Sequence, residues 1–347
     1  MRLFHLSPAL LVPLAVALEV AQAPPALVFL ASALAIVPLA SLMGLATEEL
    51  AARTGPTFGG LMNATLGNAA ELIIGIFALQ AGLIDLVKAS LTGSIIGNLL
   101  LILGLSIFVG GLRHQTQSFS RQAAGMNVAL LALATVGLVV PALFDFTHPR
   151  GDAAVLAHLS ETVAVVLMVV YLLSLLFSLK THRKMFRPEV EHEAPSWSLR
   201  RALVVLVVAT VLVAWLSEIL VGVTEETIAA LGVSEFFLGV IIIPLVGNAA
   251  EHGAAVMMAA KNKMDLSFAV AVGSSTQVAL FVAPLLVFVS LLFGNPMDLA
   301  FTAFEVAAVA LGVAVVTVIS LDGESNWLEG AQLLAVYGIL AAAFFFF

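Results

Sequence analysis

Long apolar runs, separated by short polar segments, recur along the whole chain of 347 residues. Runs of about 18 or more mainly apolar residues are long enough to cross the hydrocarbon core of a bilayer as helices. This pattern predicts an all-α polytopic membrane protein with eleven transmembrane helices. The predicted spans are 6–22, 25–47, 59–82, 86–110, 123–144, 155–179, 199–218, 234–260, 264–293, 298–319 and 327–347. The first run is interpreted as a retained helix and not as a signal peptide, because it lacks a convincing small-residue cleavage site.

The composition agrees with this class of protein. Hydrophobic residues make up 61% of the chain and charged residues only 10%, whereas a soluble domain carries about 25% charged residues. A large soluble enzyme is therefore disfavoured. The net charge of −8 gives no indication of nucleic-acid binding. The chain has no cysteine, which excludes disulfides, thiolate nucleophiles and thiolate metal sites.

Lysine and arginine residues are distributed unevenly between the two sides of the predicted membrane. With the N-terminus inside, all but two of the 14 basic residues fall on the inner side, the exceptions being Lys88 and Arg150. Cytoplasmic loops of membrane proteins carry such an excess of positive charge. We therefore expect a cytoplasmic N-terminus and a cytoplasmic linker at 180–198, which is the longest loop.

The chain repeats itself at a shift of 180 residues. The pentapeptide GNAAE occurs at 67–71 and again at 247–251. Further matches are Gly59 with Gly239, Asp85-Leu86 with Asp265-Leu266, Gly93-Ser94 with Gly273-Ser274 and, after a three-residue slip, Thr47-Glu48-Glu49 with Thr224-Glu225-Glu226. Each copy holds five predicted spans, and an odd number forces the second copy to enter the membrane in the opposite orientation.

Inverted repeats of this kind are typical of secondary transporters, whose sites lie near the bilayer midplane between the halves. We expect an extra N-terminal helix at 1–22, a first five-helix repeat at 25–179, the linker at 180–198 and a second five-helix repeat at 199–347. A duplication that left only a scaffold is the alternative. It is disfavoured because the matched residues are polar ones in apolar surroundings, whereas a scaffold would preferentially keep its apolar packing.

One glutamate ends each GNAAE motif, Glu71 in the first and Glu251 in the second. An ionised carboxylate at mid-membrane costs about 2.5–3.5 kcal/mol on insertion scales, so such residues are functional candidates. Asn68 and Asn248 lie three residues earlier, on the same helix face as the glutamate that follows. Four converging side chains that offer oxygen suit a hard cation such as Ca²⁺. The two glutamates are therefore the candidate metal ligands, and either a divalent cation or protons would cancel their charges.

Glycines and a second motif flank the glutamates. Gly67 and Gly247 would allow local unwinding and close backbone approach before each asparagine. The second motif reads GSIIGN at 93–98 and GSSTQV at 273–278. Its polar residues are Ser94, Asn98, Ser274 and Gln277. They would act either as flanking ligands and hydrogen-bond partners of the site, or in tight helix packing.

His252 follows Glu251 and has no counterpart in the first repeat, where Leu72 stands. A lone histidine in a helix bundle is commonly a structural residue with satisfied hydrogen bonds. Beside a proton-binding carboxylate it would alternatively tune or relay protons. Glu161 and Glu305 also lie within predicted spans, but they lack symmetry mates and are interpreted as helix-end or helix-contact residues.

Five motifs together resemble the calcium/proton exchanger (CAX) family of the calcium/cation antiporters. They are GNAAELI at 67–73, GNAAEH at 247–252, KMDL at 263–266, GSSTQVALF at 273–281 and DGESNWLEG at 322–330. The resemblance implies eleven helices with an inverted five-plus-five repeat, and Ca²⁺ transport against a proton gradient by alternating access. Cation and protons would share Glu71 and Glu251, with Asn68 and Asn248 beside them.

The resemblance also bears on the surroundings of the site. Acidic groups at the mouths would collect cations, although solvated helix ends explain them equally well; they are Glu48, Glu49, Glu225 and Glu226. The acidic inter-repeat segment of the family is reduced here to Glu189, Glu191 and Glu193, so a strong regulatory calcium site in the linker is not expected. No cofactor is expected, because Ca²⁺ is the transported substrate. Some members form trimers, and the expected location is a prokaryotic inner membrane.

Other transport and enzyme classes agree less well with the sequence. The related sodium/calcium exchangers carry more hydroxyl residues in the corresponding motifs, whereas alanine pairs precede both glutamates here. This departure favours protons over sodium. A cation channel would use the same acidic pair but would conduct without a coupling gradient. An intramembrane metal-dependent hydrolase is disfavoured, because the seven histidines show neither an HExxH motif nor another paired spacing.

Overall fold

The computed structural model describes residues 2–54, 59, 61–62, 65–148, 153–182 and 195–346, with side chains for all of these except 2–7 and 250. The chain described is helical apart from turns, loops and one short strand pair. Helices with defined bounds are α1 (Arg2–Val20), α2 (Pro25–Thr54), α3 (Ala69–Gln80), α4 (Ile84–Arg113), α5 (Arg121–Thr147), α6 (Ala153–Thr181), α7 (Leu199–Gly222), α8 (Thr224–Leu231), α9 (Glu235–Gly247), α10 (Ala249–Ala260), α11 (Met264–Leu292), α12 (Ala303–Ile319) and α13 (Trp327–Phe346). Strands β1 (Gln117–Ser118) and β2 (Glu324–Ser325) pair antiparallel.

Seven helices in the described part of the chain are long and apolar enough to cross a membrane: α2, α4, α5, α6, α7, α11 and α13. Helices α8 and α9 form a pair bent by 116°, which would make an eighth span. Shorter apolar helices lie at Pro8–Val20, Ala69–Gln80 and Ala303–Ile319. The expectation of an all-helical membrane protein with several spans is confirmed, and the number of eleven stays a prediction.

The two GNAAE segments contain helix breaks. Asn68 has φ −97° and ψ 23°, and Asn248 has φ −101° and ψ 2°, so both backbones enter the bridge region between helix and strand. A new helix of 12 residues starts directly after each of them, α3 and α10. The hydropathy pattern alone predicts uninterrupted spans over 59–82 and 234–260, whereas Gly67 and Gly247 indicate the local unwinding that the structure has at these two points. Mean hydropathy does not register a break whose flanking residues are all small and apolar.

Turns of π-helix interrupt the two long helices that carry the second motif. In α4 the π-helical turns cover Gly97–Ile102, and in α11 they cover Val278–Val282. Such turns are frequent at functional sites, because they shift the side chains that follow relative to a regular α-helix. The two interruptions occur at corresponding positions of the repeat, one turn after Ser94 and Ser274.

Helices α4 and α11 lie in the middle of the bundle. In their most apolar windows 72% and 61% of the residues are buried in the protein, against 17% for α6 and 22% for α13. The outer helices therefore present apolar side chains to the surroundings, as a bilayer requires. Helices α4 and α9 approach backbone to backbone, because a Cβ on Gly93 would lie 2.0 Å from the carbonyl oxygen of Val240.

Candidate cation-binding site

The candidate residues converge where the two short helices begin beside the two long ones. Glu71 and Glu251 are each the third residue of their helix, α3 and α10. The polar residues of the second motif lie on α4 and α11 and are Ser94, Asn98, Ser274 and Gln277. Hydrogen bonds join these side chains across the two halves of the chain, so the structure places most of the predicted set in one network.

Glu71 is held by one of its two carboxylate oxygens. Its Oε1 accepts hydrogen bonds from the Ser94 hydroxyl and, at 2.5 Å, from Nδ2 of Asn248. Its Oε2 is buried and has no hydrogen-bond partner in the described part of the chain. Gly247 packs against this side chain, since a Cβ there would lie 2.9 Å from Cγ of Glu71. Gly247 is therefore needed for close approach to the carboxylate, while Gly67 lies in the corresponding turn before Asn68.

Glu251 is placed in a comparable way on α10. Its Oε2 is likewise buried without a hydrogen-bond partner among the described residues. Ser274 of α11, the repeat mate of Ser94, donates its hydroxyl to Oδ1 of Asn68. Each GNAAE glutamate thus keeps one buried carboxylate oxygen without a hydrogen-bond partner in the described part of the chain.

The asparagines connect the two halves. Nδ2 of Asn248 lies 3.4 Å from the Ser94 hydroxyl, and the Ser274 hydroxyl donates to Oδ1 of Asn68 at 3.0 Å. These two contacts correspond to one another under the 180-residue shift. Asn68 in turn donates from Nδ2 to Oε1 of Gln277 at 2.7 Å. All of these asparagine and serine side chains are buried, with 2–5% of their surface exposed.

His252 takes part in this network instead of standing alone in the core. Its Nε2 lies 3.0 Å from Oδ1 of Asn98, and Nδ2 of Asn98 donates to the Ser274 hydroxyl at 3.2 Å. With the Asn98 amide in this orientation, Nε2 of His252 is the donor and carries a proton. His252, Asn98 and Gln277 have no polar mates in the other repeat, so the network is asymmetric on this side.

The atoms of the site that could bind a cation are mainly oxygens. Within the described ranges, no group of three or more His, Asp or Glu side chains converges on a point. A cation here would draw on two carboxylates and then on amide, hydroxyl or carbonyl oxygens, which is a donor set for a hard cation. The same buried carboxylate oxygens can each take a proton. The arrangement therefore suits binding of either a hard cation or protons at one place.

Two crevices reach the site, and they add residues that sequence reasoning missed. One is lined by Glu71, Ser90, Leu91, Ser94, Ile243, Pro244, Val278, Val282 and Leu286. The other touches Ser94, Asn248, His252 and Tyr337, among its lining residues. Ser90 could have been found, because it precedes Ser94 by four residues on the same face of α4. Tyr337 gave no such signal, because α13 carries no motif that points to the site.

The four mouth glutamates have different surroundings. Glu49 accepts hydrogen bonds from the backbone N–H groups of Ser196 and Trp197, at 3.2 and 3.0 Å, and from the Ser196 hydroxyl. This carboxylate therefore ties the end of the linker to α2 and is not a plain solvated group. Glu48 is exposed on α2, and Glu225 and Glu226 are exposed in the first turn of α8. The linker glutamates at 189, 191 and 193 lie outside the described residues.

The remaining intramembrane carboxylates have structural partners. Glu305 is 1% exposed and forms a capping box with Thr302 at the start of α12. It also accepts a hydrogen bond from the Thr92 hydroxyl of α4 at 3.2 Å. Glu161 lies 3.4 Å from Nδ1 of the exposed His158, one turn away on α6. These contacts agree with the interpretation of both as helix-end or helix-contact residues.

Comparison with known proteins bears on the two halves of the chain. The family model described as sodium/calcium exchanger protein matches residues 25–180 and 201–346. The chain belongs to this family. Each matched segment contains one GNAAE motif and one second motif, and the segment between them is the linker.

Individual relatives are similar over nearly the whole chain. A Ca²⁺/H⁺ antiporter of Synechocystis sp. is 49% identical over 92% of this chain and 91% of the relative. The Ca²⁺/H⁺ antiporter ChaA of Bacillus subtilis is 46% identical over 99% of both. The solved structure of native YfkE is 43% identical, with a TM-score of 0.87, and covers 99% of this chain and 100% of YfkE. The predicted similarity to the calcium/proton exchangers is confirmed.

Proposed function

We propose that this exchanger-family protein is a secondary active transporter that exchanges Ca²⁺ for H⁺ across the membrane by alternating access. The observation that carries the proposal is a pair of buried carboxylate oxygens, Oε2 of Glu71 and Oε2 of Glu251, that lack a hydrogen-bond partner among the described residues. A buried carboxylate oxygen is costly unless it is neutralised or bonded. A bound Ca²⁺ or a proton supplies what is missing at each glutamate. The names of the Synechocystis and Bacillus relatives support this pair of ions.

In this scheme hydrogen bonds orient the glutamates while the unused oxygens bind the ion. Ser94 and Asn248 hold Oε1 of Glu71, so that its Oε2 is available. Ca²⁺ takes six to eight oxygen ligands, and Asn68 and Asn248 are the nearest candidates for further ones. Ser274 and Gln277 hold Asn68 in place through their hydrogen bonds. Asn98 in turn donates to Ser274, and His252 orients Asn98.

Competition for the same two carboxylates couples the ions. Metal binding requires deprotonated ligands, so protons displace Ca²⁺ and Ca²⁺ displaces protons. With Ca²⁺ or protons bound, the site is close to neutral, and the protein can change the side of the membrane to which the site opens. The empty site carries two negative charges inside the bilayer, and this energetic cost prevents the same change. Exchange follows because only occupied forms cross.

We infer the inverted-repeat architecture of two five-helix units at 25–179 and 199–347, with an extra helix at 1–22 and a linker at 180–198. Matching local features support this division, among them the breaks at Asn68 and Asn248 and the positive φ at Gly82 and Asn262. The Thr47 and Thr224 hydroxyls also donate alike, to the carbonyls four residues earlier, at 2.8 and 2.9 Å. The seven long helices, the bent pair and the three shorter apolar helices would together make eleven spans.

The coupling ion is argued from the residues before the glutamates. Both motifs place two alanines there, and an alanine side chain offers no oxygen to a dehydrated sodium ion. The alanines therefore favour protons as the coupling ion, and sodium/calcium exchange with the same fold is the second candidate. A cation channel would need a continuous wide path, whereas the crevices are narrow and lined largely by apolar side chains beyond Glu71, Ser90 and Ser94.

The proposed location and oligomeric state rest on the same family membership. We place the protein in a prokaryotic inner membrane, since the relatives from Bacillus subtilis and Synechocystis are bacterial. The excess of basic residues in the predicted inner loops supports a cytoplasmic N-terminus and a cytoplasmic linker. Glu48, Glu225 and Glu226 are exposed and would attract cations at the mouths. A homotrimer is proposed by family resemblance, and no cofactor is required beyond the transported ions.

The experiment is Ca²⁺ flux into proteoliposomes, driven first by an imposed pH gradient and then by an imposed Na⁺ gradient. We expect uptake with the pH gradient alone, and loss of uptake in Glu71→Gln and in Glu251→Gln. Glu161→Gln, on the surface of α6, serves as the matched control and should transport normally. Uptake driven only by sodium would replace the coupling ion, and unitary currents without a gradient requirement would favour a channel.

A further inference from the structure

Two side-chain amides hold the far ends of the short helices that carry the glutamates. Gln117 donates from Nε2 to the carbonyl oxygen of Ala259 at 2.8 Å. Asn295 donates from Nδ2 to the carbonyl oxygen of Leu79 at 3.3 Å. Ala259 and Leu79 are the residues before the last ones of α10 and α3, and they correspond under the 180-residue shift. The same kind of bond is therefore made at the same place on both helices.

Both bonds run from one half of the chain to the other. Gln117 follows α4 in the first half and holds α10 of the second, whereas Asn295 follows α11 in the second half and holds α3 of the first. The two contacts lie at opposite ends of α4. The end of α4 abuts the first contact, since a Cβ on Gly110 would lie 3.1 Å from the Ala259 carbonyl oxygen. The other end of α4 follows α3 directly through the turn at Gly82.

The Gln117 contact is built as a rigid one. Gln117 is 1% exposed, and its Nε2 also donates to Oδ1 of Asn262 at 3.0 Å. The Ala259 carbonyl can only accept, which fixes the direction of the Gln117 amide. The loop that carries Gln117 is itself held by pairing of β1 with β2 and by a bond from the N–H of Ser120 to Oδ1 of Asp265 at 2.5 Å.

The two contacts differ in strength for an identifiable reason. Asn262 sits in the left-handed region with φ 59°, and its side chain is the second acceptor for Gln117. The corresponding residue of the first repeat is Gly82, whose φ of 81° is also left-handed but which has no side chain that could accept a hydrogen bond. Asn295 is also only half-buried. The contact on α3 is therefore the weaker of the two.

We propose that Gln117 and Asn295 are positioning residues for the exchange site, and this proposal rests on the proposed function. They fix α10 and α3 at the ends far from the helix breaks, and so keep Glu251 and Glu71 in register with α4 and α11. Glu251 and Ala259 are about 12 Å apart along α10, so a tilt of about 5° about the far end moves the glutamate by about 1 Å. A displacement of about 1 Å is enough to disturb a coordinated site.

The test compares Ca²⁺ affinity with maximal rate in matched variants. Gln117→Met keeps the length of the side chain and removes the donor, and it should raise the KM for Ca²⁺ about fivefold to tenfold with little change in maximal rate. Asn295→Leu should raise KM less, by about twofold to threefold. Gln115→Met is the control, because Gln115 is exposed in the same loop and should leave KM unchanged.

A milder variant, Asn262→Gly, and direct Ca²⁺ binding are the controls for misfolding of Gln117→Met. Asn262→Gly removes only the second acceptor, and glycine tolerates the positive φ, so KM should rise about twofold. A monodisperse Gln117→Met protein with the KM of the parent chain would overturn the proposal, as would a lower maximal rate with KM unchanged. If Gln117→Met does not fold, an unchanged KM in Asn262→Gly decides against it. Binding of ⁴⁵Ca²⁺ to the purified chains is measured as well. If the parent chain itself does not exchange Ca²⁺ for H⁺, the proposed function is wrong; if it exchanges but the variants bind Ca²⁺ as the parent does, only the positioning role is wrong.

Discussion

Asn248, in the second GNAAE motif, donates a hydrogen bond to Oε1 of Glu71, in the first, at 2.5 Å. This bond joins the two motifs, 180 residues apart, in one hydrogen-bond network. The orientation of the Glu71 carboxylate in one half therefore depends on a residue of the other. A movement of either short helix would therefore be felt at both glutamates.

The first prediction concerns this bond. Asn248→Leu should lower Ca²⁺ affinity by about tenfold or more, because it removes a hydrogen bond to a charged group and leaves Oε1 of Glu71 with Ser94 only. Asn68→Leu should cost less, since Asn68 bonds neutral partners, Gln277 and Ser274. The measurement is the KM for Ca²⁺ in proton-driven uptake. Equal effects of the two variants would contradict the special role of Asn248.

The second prediction concerns Gly247. A Cβ at this position would lie 2.9 Å from Cγ of Glu71, so Gly247→Ala must displace the glutamate. We expect a large loss of Ca²⁺ affinity with the chain still folded and inserted. Gly253→Ala is the matched control on α10, because a Cβ there meets no described atom within 4 Å. Thermal unfolding in detergent, recorded beside the uptake, distinguishes displacement of Glu71 from general destabilisation.

Much of the site could be predicted from the sequence because of two strong signals. A carboxylate in an apolar run is costly, and the 180-residue repeat showed which polar residues recur, so Glu71, Glu251, Ser94 and Ser274 were found. Asn98 and Gln277 were found by their helical spacing from these serines. Both signals can be read from the sequence without any tertiary contact, and the structure joins most of these side chains in one network.

Features that depend on tertiary contacts were not predictable in this way. The glycines before Asn68 and Asn248 indicate local unwinding, but hydropathy does not show where each new helix starts. The bonds that Glu49 accepts from Ser196 and Trp197 join residues 147 and 148 positions apart in sequence, and no local pattern indicates them. The amide contact of Gln117 depends likewise on a distant helix end, and nothing in its neighbourhood along the chain points to it.

The third prediction concerns the ion pair between Lys88 of α4 and Asp298, which precedes α12. Nζ of Lys88 lies 2.6 Å from Oδ1 of Asp298, with 11% and 33% of the two side chains exposed. Lys88→Met leaves Asp298 without its counter-charge and should destabilise the protein by about 2 kcal/mol, less than for a fully buried pair because water screens Asp298. The double variant Lys88→Met with Asp298→Asn should recover most of this loss. Thermal unfolding measures both, and additive losses would contradict a coupled pair.

The fourth prediction separates the two interpretations of His252. Its Nε2 donates to Oδ1 of Asn98, and a glutamine amide can make the same bond. If the role of His252 is to hold Asn98, His252→Gln should keep the KM for Ca²⁺ near that of the parent chain, while His252→Leu raises it. We expect this result. A His252→Gln protein with normal KM but a displaced pH profile would show that the imidazole relays protons.

The last prediction concerns the competition between the two ions. Because Ca²⁺ binds only the deprotonated carboxylates, acidification on the Ca²⁺ side should raise the KM for Ca²⁺ without lowering the maximal rate reached at saturating Ca²⁺. Over the range in which Glu71 and Glu251 titrate, KM should rise by about tenfold per pH unit if one proton is displaced, and by up to about a hundredfold if two are displaced. The measurement is initial ⁴⁵Ca²⁺ uptake over a grid of pH and Ca²⁺ concentration. A KM independent of pH, with only the maximal rate changing, would mean that protons act away from the two glutamates.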